Sequence, residues 1–212
     1  MTRSLFLCRH GHRIDMEQPQ WYGDTDNRHD PHLSAQGIVQ ARVLARRLKN
    51  EPIAHIIASP YLRALETAHY IAEALHLPLS VEPGIGEWLN PAWMDADPQI
   101  AQPHERAARF AEIDPHYVPA LAPIYPETWE QMQRRAATAI QGILARLDGN
   151  IVVVGHGHVI AATIAALTGA AETTLNIGLC SVTRLDCDGE AWQLERCGDI
   201  SHLLRFARQA SA

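Results

Sequence analysis

The sequence predicts an α/β fold in which a mainly parallel central sheet carries helices on both faces and ends in a C-terminal hairpin. Three observations predict it. Short apolar runs alternate with longer stretches whose apolar residues recur at helical spacing. The run at residues 151–154, Ile-Val-Val-Val, is apolar and β-branched throughout, as strands buried on both faces of a parallel sheet are. The last two extended runs flank Asp188-Gly189, a hairpin turn pair. Alternation of this kind builds a parallel sheet through right-handed crossovers, with helices packed on each side.

The elements follow in order. Residues 4–8 form a first strand that stops at Arg9-His10-Gly11-His12-Arg13. Ser34 is a helix N-cap, and Ile38, Ala41, Ala45 and Leu48 give that helix its apolar stripe to about residue 49. Residues 53–58 form the second strand. Ser59-Pro60 then has the signature of an N-cap followed by proline at the first helical position, opening a helix to about residue 75. Leu62, Leu65, Ala68, Ala72 and Leu75 make its buried face. A third strand at residues 79–82 ends at Pro83-Gly84. Residues 89–126, rich in proline and alanine, are expected to be an inserted, partly helical segment over one edge of the domain. The helix near 127–147 has the clearest period, through Trp129, Met132, Ala136, Ile140, Ile143 and Leu147, and Asp148-Gly149-Asn150 stops it. The strand 151–154 leads through Gly155-His156-Gly157-His158 into an apolar helix to about residue 167. Strands near 178–187 and 190–197 complete the hairpin. With no internal repeat or low-complexity linker, residues 1–212 are expected to be one domain.

Bulk properties set limits. The chain has 212 residues, enough for a single core, with 47% hydrophobic and 20% charged residues, a globular balance. A net charge of −6 gives no reason to expect nucleic acid or an anionic membrane as partner. No stretch approaches the roughly 20 apolar residues of a membrane span, and the start is too short an apolar run for a signal peptide. The four cysteines (Cys8, Cys180, Cys187 and Cys197) show no CxxC pairing, so reduced thiols and a cytoplasmic location are expected. The oligomeric state stays open, a homodimer included.

In parallel sheets, ligands bind beyond the carboxyl ends of the strands. Four segments bring polar residues there: Arg9-His10-Gly11-His12, Ser59-Pro60-Tyr61-Leu62-Arg63, Gly86-Glu87-Trp88 and Gly155-His156-Gly157-His158. A neutral imidazole is a competent nucleophile toward phosphorus, provided its other ring nitrogen donates to a fixed acceptor such as a backbone carbonyl. Guanidiniums at Arg9 and Arg63 can hold phosphate oxygens in forked pairs. Arg63 sits in the first turn of its helix, where a cation is poorly placed without an anionic partner. His156, if protonated, would add a third cation, and amides near Gly157 and His158 would face the same anion. A departing alkoxide needs a proton, and Glu87 is the best-placed carboxyl to give it, with Glu82, Glu66 and Asp15 also near.

These motifs, in this order and with Leu33-Ser34-Ala35-Gln36-Gly37 ahead of the first helix, resemble the histidine phosphatase superfamily, the group of the cofactor-dependent phosphoglycerate mutases. The matching blocks span most of the chain and leave 89–126 uncovered. Residues 82–88 and the neighbourhood of 15–21 look most like the TULA and ecdysteroid-phosphate phosphatase branch. The resemblance implies a phosphoglycerate mutase-like fold and a phosphohistidine on His10. It makes Glu87 the proton donor and Arg9, Arg63 and His156 the phosphate pocket, which Arg13 extends. It implies a small phosphorylated substrate and no cofactor. Two positions depart from that branch: His12 stands where a glutamate is usual, and His158 where a small residue is. The patterns marking sugar-phosphate mutases, Gly-Glu-Ser then Trp-Asn, are absent, which favours hydrolysis.

Other readings stay open at this point. His10-x-His12 and His156-x-His158 could ligate a metal in a metal-dependent hydrolase, although Arg9, Arg13 and Arg63 would oppose a divalent ion electrostatically. A non-catalytic phosphate-binding module is the third reading. His10 and His156 could also be ordinary hydrogen-bonded histidines, and Arg63 a solvated helix residue. Trp21, Trp88 and Trp93 could line a cleft or merely pack. Asp24, Asp26 and Asp30 lack the glycine and distal glutamate of a calcium loop and suit a solvated one. The discriminating surface for substrate is expected in residues 14–30 and 89–126.

Overall fold

The computed structural model describes residues 3–21, 28–170 and 175–210, with the side chain of residue 210 excepted. In chain order the elements are β1 (Arg3–Arg9), α1 (Ile14–Glu17), α2 (Ala35–Leu48), β2 (Ile53–Ala58), α3 (Leu62–Leu75), β3 (Leu79–Val81), a 3₁₀ turn (Pro83–Ile85) and α4 (Pro103–Arg109). There follow α5 (Trp129–Arg146), β4 (Asn150–Gly155), α6 (Gly157–Thr168), β5 (Val182–Cys187), β6 (Trp192–Asp199) and α7 (Ser201–Ala210). The strands form one six-stranded sheet in the order β3-β2-β4-β1-β5-β6. The first four are parallel, and the β5–β6 hairpin adds antiparallel to β1.

Side chains alternate across a strand, and here the alternation divides the core in two. Phe6, Cys8, Val152 and Val154 face α2 and α3. Leu5, Leu7, Ile151 and Val153 face α5 and α6. The predicted helices on both faces are thus present, and the runs in β1 and β4 are apolar throughout because neither face meets water. Arg3 ties β1 to the end of α5, donating to the carbonyls of Gly149 and Leu144 at 2.9 Å each and also to Leu147.

Part of the segment 89–126 lies along the β3 edge. Leu79 pairs there with Ile113, and its N–H and C=O bond Glu112 and Asp114 at 2.8 and 2.9 Å. The fully buried Glu82 anchors the segment, accepting from Tyr117 Oη at 2.9 Å and Ala120 N at 2.7 Å.

Two expectations are corrected. Helix α3 begins at Leu62, not at Pro60: its N-cap residue is Tyr61, and the Leu62 N–H is taken at 2.7 Å by the Asp30 carboxylate. A carboxylate from another loop caps this helix and leaves Ser59 free for other work. The sequence reading also assigns nothing to 201–210, where α7 packs against the α2–α3 face through Leu203. His202 on α7 bonds the Cys180 carbonyl at 3.0 Å.

Candidate active site

The ladder between β1 and β4 runs to its last rung at Arg9 and Gly155, and the His10 N–H continues it to the Gly155 carbonyl at 3.1 Å. Adjacent parallel strands therefore release His10 and His156 side by side, with ring centroids 5.3 Å apart. Glycine makes the turn after β1 feasible: a Cβ on Gly37 would lie 2.0 Å from the His12 carbonyl oxygen, so only a bare α2 N-terminus accepts this loop. Ser34 caps α2, accepting from Gly37 N at 3.2 Å, and His12 Nδ1 meets the Ser34 hydroxyl at 3.0 Å.

His10 is buried, and its Nδ1–H donates to the Gly11 carbonyl at 2.8 Å, a tautomer assigned from this partner. That leaves Nε2 with its lone pair. Burial above all, with the fields of Arg63 and His156 added, holds the imidazole well below its usual pKa, so it is neutral. His10 thus has the fixed backbone carbonyl that the sequence reading asks of a candidate nucleophile.

Arg63 is only 1% exposed. Its Nη2 lies 3.2 Å from Glu87 Oε2, its Nη1 lies 3.7 Å from Asp30, and its guanidinium stacks 4.6 Å from the Tyr61 ring centroid. Arg9 donates one Nη1 bond to the Ile177 carbonyl at 2.8 Å. Arg9 Nε, Arg63 Nε and Nη1, and His156 Nδ1 are all buried without a hydrogen-bond partner. Leaving such donors unpaired is costly, and four of them in one pocket are what a bound anion would satisfy.

The sequence reading makes His156 a cation if protonated, yet burial outweighs the attraction of Glu87 and lowers its pKa to about 4, so near neutral pH it is uncharged. Its Nε2 pairs with the Ser59 hydroxyl at 2.8 Å, while Nδ1 stands 3.2 Å from Glu87 Oε2, off the hydrogen-bonding direction. Glu87 Oε1 accepts from Trp88 N at 3.0 Å. Burial would raise the Glu87 pKa, but His156, Arg63 and His10 together outweigh it and hold the carboxyl well below the usual range, so in the free enzyme it is ionised.

Sequence reasoning misses Arg135 on α5. Buried, it forms a bidentate pair with Glu127 at 2.6 and 2.7 Å and donates to the carbonyls of Gly84, Gly86 and Glu87 at 2.9, 3.0 and 3.0 Å. A cation on the apolar stripe of a helix, three residues from Met132 and four from Ala139, is the available signal. Ser59 and Asp30 are missed too, because the first has the pattern of a helix cap and the second that of a solvated loop. Asp24 and Asp26 of the same loop lie outside the described residues.

The remaining candidates are elsewhere. Arg13 is locked to Asp15 through two bonds of 2.9 and 2.8 Å, though near enough to Arg9 for the cations to repel. Glu66 accepts from Leu33 N at 2.6 Å and pairs with Arg109, and Glu82 is taken by the inserted segment. Trp88 and Trp93 meet Trp129 and His158 in one aromatic cluster, whereas Trp21 packs on His32. Neither H-x-H pair is assembled: among the described residues, His10, Glu87 and His156 have ligand atoms within 4.8 Å of one another, while His12 turns to Ser34 and His158 to the tryptophans. Arg63 already occupies the shared Glu87 oxygen.

The human ubiquitin-associated and SH3 domain-containing protein B is 26% identical over 91% of this chain, which spans 37% of that protein's length. A "probable phosphoglycerate mutase GpmB" of Yersinia enterocolitica is 29% identical, with 94% of each covered. Among solved structures, the ecdysone phosphate phosphatase of Bombix mori, in complex with tungstate, has a TM-score of 0.76 at 20% identity over 92% of this chain and 93% of that one. Bacillus stearothermophilus YhfR gives 0.70 at 26% identity, over 94% and 98%. The family model for the histidine phosphatase superfamily (branch 1) matches residues 5–200, from within β1 to just past β6. The match takes in the strand-end histidines, the buried arginines and the sheet that aligns them, and the chain belongs to the histidine phosphatase superfamily, branch 1.

Proposed function

We propose that this enzyme hydrolyses a small phosphomonoester in two steps through a phosphohistidine on His10. The observation that carries the reading is the set of unpartnered buried donors on Arg9, Arg63 and His156 around a neutral imidazole. Those donors would hold the phosphoryl oxygens and the charge that develops on them. Arg13 adds positive field beyond Arg9. His10 Nε2 attacks phosphorus in line, the P–O bond to the leaving group breaks, and the departing oxygen takes a proton from Glu87. Water then attacks phosphohistidine, gives a proton to Glu87 and releases inorganic phosphate, returning His10 to its neutral form.

The ionised state of Glu87 fixes where its proton comes from. An ionised Glu87 with a monoanionic ester carries the same protons as a neutral Glu87 with the dianion. Moving the proton from ester to carboxylate on binding arms the acid, and the negative phosphate beside Glu87 favours that transfer by offsetting Arg63. His10 stays neutral throughout because its own pKa is held so low.

The first test is p-nitrophenyl phosphate hydrolysis by wild type and His10→Ala, with and without EDTA, together with acid-quenched labelling from a ³²P substrate. Turnover that persists in EDTA, vanishes in the variant and leaves label on histidine supports the reading. Loss of activity to EDTA would favour a metallohydrolase, and phosphate affinity without turnover in wild type a binding module. Transfer of the phosphoryl group to added phosphoglycerate, instead of release of inorganic phosphate, would replace hydrolysis by mutase chemistry.

A further inference from the structure

A cavity of about 550 Å³ opens beside the phosphate pocket. Arg9 stands at one end, the rings of Trp129 and His158 form a wall, and Leu175 and Ile177 supply aliphatic surface. Asn176 is the one uncharged amide among the described lining residues, which include no carboxylate. The volume lies within the usual range for small-molecule sites.

The wall is built on the loops that carry the chemistry. His158 follows His156 by two residues at the start of α6, and Trp88 follows Glu87 directly. Trp88, Trp93 and Trp129 surround the His158 ring at centroid distances of 5.7, 5.2 and 5.6 Å. Trp88 is fixed by its Nε1–H bond of 3.1 Å to the Glu127 carbonyl. The outer rings are nevertheless open: His158 is exposed and Trp93 is 51% exposed. A large aromatic surface at the rim of a cavity, left uncovered by the described residues, is a feature of ligand grooves.

We propose that this cavity is the leaving-group subsite and that it selects phosphate esters of aromatic or other flat apolar alcohols over those of polyols. The inference rests on the phosphatase reading above, since it places the alcohol next to a phosphoryl group held by Arg9. Rings gain by stacking on Trp129 and His158. A polyol would set its hydroxyls against ring faces and aliphatic surface, with side-chain partners only at Asn176, Arg9 and the ring nitrogens of His158 and Trp129 among the described lining residues.

The test compares benzyl phosphate with glycerol 3-phosphate, both esters of primary alcohols, so that leaving-group acidity does not decide the result. Wild type is expected to favour benzyl phosphate in kcat/KM by about tenfold or more, the scale of one buried aromatic contact. His158→Ala and Trp129→Ala are each expected to reduce that ratio to within about threefold. His158 is exposed, so its variant remains informative if Trp129→Ala does not fold. Equal use of the two esters by wild type, or a ratio unchanged in both variants, overturns the proposal. Calorimetric binding of benzylphosphonate and methylphosphonate separates the two readings. Preference for benzylphosphonate in an enzyme without turnover would sink the phosphatase and keep the subsite; equal affinity alongside turnover would do the reverse.

Discussion

Replacing Arg135 by lysine should damage catalysis from a distance. The guanidinium makes five hydrogen bonds, two to Glu127 and three to the carbonyls of Gly84, Gly86 and Glu87. An ammonium has three donors on one atom, so at least two bonds are lost while the ion pair to Glu127 is retained. At about 1.5–3 kcal/mol for each bond from a charged group, the cost is on the order of 3 kcal/mol at its lower end. In a domain of this size that corresponds to a fall of roughly 6–12 °C in melting temperature. The carbonyl of Glu87 is one of those released, so the carboxyl loses its placement, and a shift of about 1 Å in a catalytic group can cost on the order of 100-fold. The assay is a melting curve plus kcat on two esters, p-nitrophenyl phosphate and an alkyl phosphate. If Arg135 acts through the proton donor, the loss in kcat is much larger for the alkyl ester, whose leaving group needs the proton more. An equal loss on both esters would reduce Arg135 to a structural residue, and an unchanged melting temperature would refute the bond counting itself.

Three further expectations follow from the geometry. With Glu87 ionised and His10 neutral in the free enzyme, kcat/KM should fall as the ester loses its last proton above about pH 6; a profile flat to about pH 9 contradicts the shared-proton scheme. Burial raises the Asp30 pKa to about 6, against the pull of Arg63 and the Leu62 N–H. A raised folded-state value means that the stability it confers is complete below about pH 4 and lost as pH rises through about 6. Asp30→Asn, which keeps an acceptor for Leu62, should therefore gain on wild type between about pH 4 and pH 7 by on the order of 3 kcal/mol. Urea unfolding at the two pH values checks it, and an unchanged difference would show that Asp30 does not titrate there. Ser59→Ala removes the partner of His156 Nε2, at a cost of about 1 kcal/mol and a loss in kcat that Ser59→Thr should largely restore; kcat equal to wild type in the alanine variant would deny His156 its orientation.

The parts of this molecule that can be read from the sequence are those where local pattern and fold coincide. Apolar strands ending in polar residues reveal the sheet, and with it the convergence of His10 and His156 at neighbouring strand ends. Arg63 stands out because a cation at a helix N-terminus asks for an anion. Glu87 stands out by its place just past the third strand, and it does lie within reach of Arg63. What is not legible depends on distant partners. Ser59 has every local mark of a helix cap, yet Asp30, from a loop 32 residues from Leu62, displaces it from that role. The charge on His156 cannot be read because burial, which no motif encodes, decides it.

The rung joining Arg9 to Gly155 has a consequence for how such an enzyme can change. Strand pairing positions residues in whole steps, so no single substitution can slide His10 past His156; only an insertion or deletion in a buried strand could, and it would turn the core inside out. The Trp129–His158 wall is under no such restraint, being made of side chains on helix ends. The paired histidines and the aromatic wall are thus held by different kinds of bond, and mutation can retune the second while the first stays in register.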